Sequence, residues 1–306
     1  MKKLFGQLLL LSILCVSCNK DSAKNAEEIT AENLPVTTPV ISPVIPPVAP
    51  PVIPPVTTPV KPPPAPTPQP QIGALNPNAG KVSLWDRSVG HDSAVFLPAD
   101  YGKYPDRQYP MILSLHGLKG TVLNTAHTAV GGNRTGFIKQ VWGTALAKTY
   151  PAIVIAPHWA EVGSTASGLW VHSQLRELIL EAKKKYNVDP ERIVVTGLSA
   201  GSIGTQDLIR NSKDLIAAAM PGAYASQFNN DPCKLADLPV WVFGNNSDSY
   251  FKSSGWEILE PKVGSCSNSA HEFKLTVYNS TCGHGCWDAH WAKPEVQEWL
   301  INQRKM

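Results

Sequence analysis

Gly197-Leu198-Ser199-Ala200-Gly201 sets a serine between two glycines in G-x-S-x-G spacing. The run Ile193-Val194-Val195-Thr196 before it is β-branched and reads as a buried strand; a helical segment follows. A sharp turn from strand to helix lifts a serine Oγ above the sheet, where it can attack a carbonyl carbon. Cβ atoms at 197 and 201 would clash where strand and helix pass, so glycine is required at both. The helix start behind Ser199 also offers free N–H groups to a developing oxyanion. A serine hydroxyl is a poor nucleophile until a positioned base takes its proton, so the chain must supply one.

After Ser199 the histidines are His271, His284 and His290. His284 lies in Cys282-Gly283-His284-Gly285-Cys286, a short loop following a predicted strand. His271 precedes a strand and suits a surface or packing role, and His290 falls on a helical turn. Four cysteines remain after Cys18, namely Cys233, Cys266, Cys282 and Cys286. In an exported chain an even number implies two disulfides, here with three possible pairings. Cys282–Cys286 with Cys233–Cys266 is the simplest, because 282 and 286 close a tight loop. Such a bridge would preorganise His284. Zinc is the rival reading of Cys282, His284 and Cys286, but a structural zinc site needs four ligands and no second cysteine pair exists.

These residues need a scaffold. Lys81–Arg87 and Ser93–Leu97 read as opening strands, and Met111–Leu115 as a buried strand ending in His116-Gly117-Leu118. Residues 119–135 are a Gly/Thr/Asn-rich loop, Thr135–Tyr150 a helical stretch, and Ala152–Ala156 the next strand. His158–Trp170 is a loop. Val171, Leu175, Leu178, Ile179 and Ala182 form a helical stripe that ends in a solvated Lys183-Lys184-Lys185. Asn187-Val188-Asp189-Pro190 turns the chain into the strand before Ser199. Leu215–Pro221, Pro239–Phe243 and Glu272–Tyr278 supply further strands, and Glu295–Asn302 a last helix. Apolar strands alternating with helices predict an α/β fold with a mostly parallel sheet covered on both faces.

Not all of the 306 residues belong to that unit. Residues 1–18 have Lys2 and Lys3, then an apolar run from Leu8 to Val16, the pattern of a signal peptide. Their end, Ile13-Leu14-Cys15-Val16-Ser17-Cys18, resembles a bacterial lipoprotein processing box that makes Cys18 the lipidated residue. Residues 19–79 form a linker whose Pro-rich tract, 35–70, excludes helix and sheet. In polyproline II form it would reach on the order of 100 Å, at about 3.1 Å per residue. The folded domain is expected over residues 80–306. A net charge of +3 argues against a nucleic-acid surface.

From about Lys81 to the C-terminus the chain resembles the α/β-hydrolase superfamily. Within it, the chain is similar to the group of polyhydroxybutyrate depolymerases, feruloyl esterases and acetylxylan esterases. The motifs are Tyr109-Pro110-Met111-Ile112-Leu113-Ser114-Leu115-His116-Gly117, Tyr186-Asn187-Val188-Asp189-Pro190-Glu191-Arg192 and the Ser199 turn. Pro239-Val240-Trp241-Val242-Phe243 and Gly283-His284-Gly285-Cys286-Trp287 complete the set. The resemblance implies a triad in the chain order serine, acid, histidine. It assigns nucleophile to Ser199 and base to His284. Asp248, just past the Pro239–Phe243 strand, becomes the acid that orients the base. Asp237 and Asp288 are poorer candidates, by position. Oxyanion donors are expected at the N–H groups of Ala200 and Leu118. One departure touches the acid loop: the family's His-Gly after this strand is Gly244-Asn245 here.

Trp159, Trp170 and Trp287 fall in loops at strand C-termini and could stack on sugars or aromatic acyl groups, with core packing as the alternative. The expected function is a serine carboxylesterase acting on acyl or feruloyl esters of polysaccharides, with polyesters second. A peptidase and a non-catalytic binding protein on a hydrolase frame are the alternatives. The expected setting is a monomeric, exported lipoprotein in the periplasm or at the cell surface, or else a secreted protein. No metal or organic cofactor is implied.

Overall fold

The computed structural model describes residues 72–85, 92–117, 136–158, 170–267, 272–285 and 287–305. The described strands are β1 (Val82–Trp85), β2 (Ser93–Phe96), β3 (Tyr109–Leu115), β4 (Ile153–Pro157), β5 (Val188–Leu198), β6 (Ala218–Gly222), β7 (Val240–Asn245) and β8 (Phe273–Tyr278). They form one sheet in the order β1-β2-β4-β3-β5-β6-β7-β8. β1 and β2 are antiparallel additions at one edge; every pair from β4 to β8 is parallel.

Strand composition explains the burial of both faces. Along β3, Met111, Leu113 and Leu115 enter one core while Ile112 enters the other. In β5, Ile193 and Val195 face one way and Val194 the other. This is the period-2 alternation of a strand with apolar residues on both sides. Helices α2 (His172–Lys185), α3 (Ala200–Asn211) and α4 (Ser253–Gly264) cover the first face. The second is covered by α1 (Ile138–Val141), α5 (Trp287–Trp291) and α6 (Pro294–Asn302).

Three expectations are corrected. The helix over Thr135–Tyr150 is broken into α1 and a 3-10 turn, Ala145–Lys148, because Gly143 takes a left-handed φ of 65° and Trp142 is extended. The turn at Asn187–Pro190 is instead the irregular start of β5: Tyr109 pairs Val188, whereas Met111 pairs Ile193. The extra residues let Asp189 accept from the Glu191 N–H, Arg192 and Arg304, which ties the C-terminal segment to the strand. Burial alone would raise the Asp189 carboxyl, but those donors outweigh it and hold it below its usual value. Finally, the end of the expected linker belongs to the domain. Gly73 N–H donates to Lys103 O, Asn76 N–H to Tyr101 O, and Ala79 bridges Leu97.

Candidate active site

The parallel sheet delivers the C-terminal ends of β3, β5, β7 and β8 to one rim; Ser199 follows β5, Asp248 follows β7 and His284 follows β8. Ser199 joins β5 to α3 with φ 53° and ψ −118°, a strained conformation for a non-glycine residue. The flanking glycines make the turn possible, as the sequence implies. A Cβ at Gly197 would lie 2.3 Å from Gly201 O, and one at Gly201 2.2 Å from Leu115 O. Ser199 N–H is held by Gly222 O at 3.0 Å.

His284 Nε2 is 2.8 Å from Ser199 Oγ, and its Nδ1 is 2.8 Å from Asp248 Oδ2. Residues 85 and 36 positions apart in sequence thus form one chain of hydrogen bonds. The Asp248 side chain is fully buried. Its Oδ1 accepts the Tyr250 N–H at 2.9 Å, so both oxygens are occupied. A carboxylate only accepts, so the His284 Nδ1 facing it carries the proton. This leaves the Nε2 lone pair toward the serine hydroxyl, the tautomer that can take its proton.

Ala200 opens α3, so its N–H has no carbonyl within the helix to pair with. Leu118 lies outside the described residues. Gly117 before it passes close to the serine, since a Cβ there would stand 3.3 Å from Ser199 Cβ. His116 is buried, its Nδ1 2.8 Å from Gly117 O and its ring edge-on to Trp170.

Of the three tryptophans, Trp159 lies outside the described residues. The stacking role expected of Trp170 is not supported: it is 3% exposed and packs where Gly204 lacks a side chain. Its Nε1–H donates to His116 O. Trp287 is half-buried, edge-on to His284 at 5.0 Å between ring centroids. Sequence reasoning missed Tyr250, a residue 57% exposed whose ring centroid is 4.7 Å from that of His284. Both aromatic rings contact the imidazole. An aromatic residue two positions after the acid was the available signal.

The rival residues are engaged elsewhere. Asp288 pairs with Lys139 and Asp237 with Lys213. His290 is buried, stacked on Phe243 at 3.9 Å, with Tyr278 Oη 2.5 Å from its Nδ1. Burial, helped by Lys293 and Lys274, pushes its pKa down to about 3, so it stays neutral. His271 lies outside the described residues. Cys233 and Cys266 form a disulfide, and Cys282 is also disulfide-bonded, which removes it as a thiolate ligand. Cys286 lies outside the described residues.

No family profile matches the chain. Poly(3-hydroxyalkanoate) depolymerase C of Paucimonas lemoignei is 27% identical over 124 residues, which are 37% of this chain and 27% of that protein. Among solved structures, a thermostable esterase matches at 25% identity and a TM-score of 0.57, over 73% of this chain and 63% of its own. The feruloyl esterase module from Clostridium thermocellum, complexed with sinapinate, matches at 14% identity and a TM-score of 0.53. The match covers 78% of this chain and 98% of the module. The chain thus spans about a quarter of the depolymerase and under two thirds of the thermostable esterase. The fold is that of the α/β-hydrolases, and the neighbours are esterases.

Proposed function

We propose that this α/β-hydrolase is a serine carboxylesterase. The observation that carries the reading is the pair of 2.8 Å contacts from one imidazole, to Ser199 Oγ and to Asp248 Oδ2. In the proposed cycle Ser199 Oγ attacks the ester carbonyl carbon as its proton passes to His284 Nε2. Asp248 holds the imidazole orientation and stabilises the imidazolium that forms. The carbonyl oxygen, now negative, accepts from the Ala200 and Leu118 N–H groups. His284 returns the proton to the leaving alcohol, which departs and leaves an acyl-serine. Water, deprotonated by His284, then attacks the acyl carbon; the carboxylic acid leaves and Ser199 regains its proton.

The substrates we infer are acyl or feruloyl esters on polysaccharides, supported by the exposed Tyr250 and the half-buried Trp287 beside His284. A polyester substrate is the second reading, favoured by the local similarity to the depolymerase. Export as a lipoprotein anchored through Cys18, with residues 19–71 as spacer, is part of this reading. The Cys233–Cys266 disulfide supports an oxidising compartment. The test is hydrolysis of p-nitrophenyl acetate, methyl ferulate, acetylated xylan and polyhydroxybutyrate by wild type and Ser199→Ala. Ester hydrolysis lost in the variant supports the proposal; equal rates in the two proteins refute it.

A further inference from the structure

The acid loop does more than present a carboxylate. Gly283, immediately before His284, takes a left-handed φ of 59° and is held at both backbone polar groups by side chains from the β7 end. Asn245 Nδ2 donates to Gly283 O at 2.6 Å, and Gly283 N–H donates to Ser247 Oγ at 3.0 Å. Ser247 Oγ–H donates in turn to Asn245 Oδ1 at 2.7 Å, which also accepts the Ser247 N–H at 3.0 Å. That last donor is a backbone amide and can only donate, which fixes Asn245 with its oxygen toward Ser247 and its nitrogen toward Gly283. The first three bonds close a ring through Asn245, Gly283 and Ser247, and the Ser247 N–H adds a fourth bond onto the same Asn245 Oδ1. Asn245 Nδ2 also donates to Cys282 Sγ at 3.7 Å. Asn245 is 4% exposed, so water competes poorly for these bonds.

We propose that Asn245 and Ser247 are positioning residues for the His284 base, acting through the Gly283 backbone. This inference rests on the esterase reading. It gives a purpose to the Gly244-Asn245 departure: Gly244 leaves room for the Phe251 ring, 2.3 Å from where its Cβ would be, and Asn245 spans to the base loop. The ring's two side chains and the acid sit on one short segment, with Asp248 directly after Ser247. One loop therefore sets both the Nδ1 partner of the imidazole and the backbone that carries it. A shift of the Gly283 peptide would change the distances to Ser199 and Asp248 together. Misplacement by 1 Å costs a reaction as much as ~100-fold in rate.

The experiment uses the full chain with Asn245→Asp, Ser247→Ala and Ser247→Thr. Asn245→Asp keeps size and the Oδ1 acceptor but turns the donor into an oxygen facing Gly283 O. Ser247→Ala removes one hydroxyl, and Ser247→Thr restores it. Two readouts are taken: steady-state kinetics on p-nitrophenyl acetate, and the downfield proton NMR signal of the His284 Nδ1–H, assigned by its loss in His284→Gln. We expect kcat lower by about 10- to 100-fold in Asn245→Asp and Ser247→Ala, with the His284 signal displaced or broadened. KM should stay within about twofold, and Ser247→Thr should recover kcat and signal. A lowered melting temperature with kcat and signal unchanged would make the ring merely structural and overturn the proposal. Wild-type kinetics and signal in all variants would overturn it while leaving the esterase reading intact. If wild type shows no Ser199-dependent hydrolysis, the esterase reading fails and the proposal of a positioned catalytic base falls with it, a signal that still responds showing only that the ring orients the imidazole. Should Asn245→Asp not fold, the Ser247 pair decides alone.

Discussion

Asp248→Asn is the most informative single substitution at the site, because the structure dictates how the amide must sit. Tyr250 N–H, 2.9 Å from Asp248 Oδ1, can only donate, so the amide oxygen stays there. The amide nitrogen then occupies the Oδ2 position, 2.8 Å from His284 Nδ1, and donates to it. The imidazole proton must move to Nε2, so the ring presents N–H, not a lone pair, to Ser199 Oγ. Flipping the amide restores the useful tautomer but sets NH2 against the Tyr250 N–H, leaving a buried donor unsatisfied at a cost of about 1–3 kcal/mol. Loss of the charge-assisted bond to the imidazolium adds about 1.5–3 kcal/mol. The total, roughly 2.5–6 kcal/mol, corresponds to a kcat lower by about 10²- to 10⁴-fold. The assay is p-nitrophenyl acetate hydrolysis, with circular dichroism to show that the isosteric variant is folded. A kcat within about fivefold of wild type would refute the orienting role of Asp248.

Three further outcomes test the scaffold. Replacing Cys233 and Cys266, separated by 33 positions, with serine should cost about 3–4 kcal/mol by loop-closure entropy, read as a lower urea midpoint. Gly201→Ala should lose more than about 3 kcal/mol or fail to accumulate folded, since its Cβ would meet the Leu115 carbonyl oxygen at 2.2 Å; a soluble, wild-type-like melt contradicts this. His290, with its folded pKa near 3 against about 6.5 unfolded, favours the fold fully above pH 6.5. That contribution is lost as pH falls from 6.5 toward 3, at up to about 1.4 kcal/mol per pH unit. Urea unfolding between pH 7 and pH 4.5 should be less pH-dependent in His290→Phe, and an identical slope would refute the assignment.

Much of this was legible in the sequence where one physical demand forces one residue type. Gly197 and Gly201 could be read as clash-relieving because no other residue fits so near a backbone. The apolar runs of β3, β4 and β5 announced strands buried on both faces. Helix α4 was missed: Gly255 and Pro261 signal a break, yet Trp256, Leu259 and Val263 anchor it in the core. Trp170 illustrates the opposite failure, because a tryptophan in a loop looks available until Gly204 is seen to make room for it. The Asn245–Ser247–Gly283 ring was invisible because its members gain meaning only when two loops 38 positions apart meet.

The central claim is that Ser199 becomes covalently acylated during turnover. Incubation with diethyl p-nitrophenyl phosphate, followed by peptide mass spectrometry, tests it most directly. The account predicts one diethylphosphoryl group on the peptide containing Ser199, loss of hydrolysis in proportion to labelling, and much slower labelling in His284→Gln. Ester hydrolysis that persists while Ser199 is fully labelled, or modification of a different residue in step with inactivation, would contradict it.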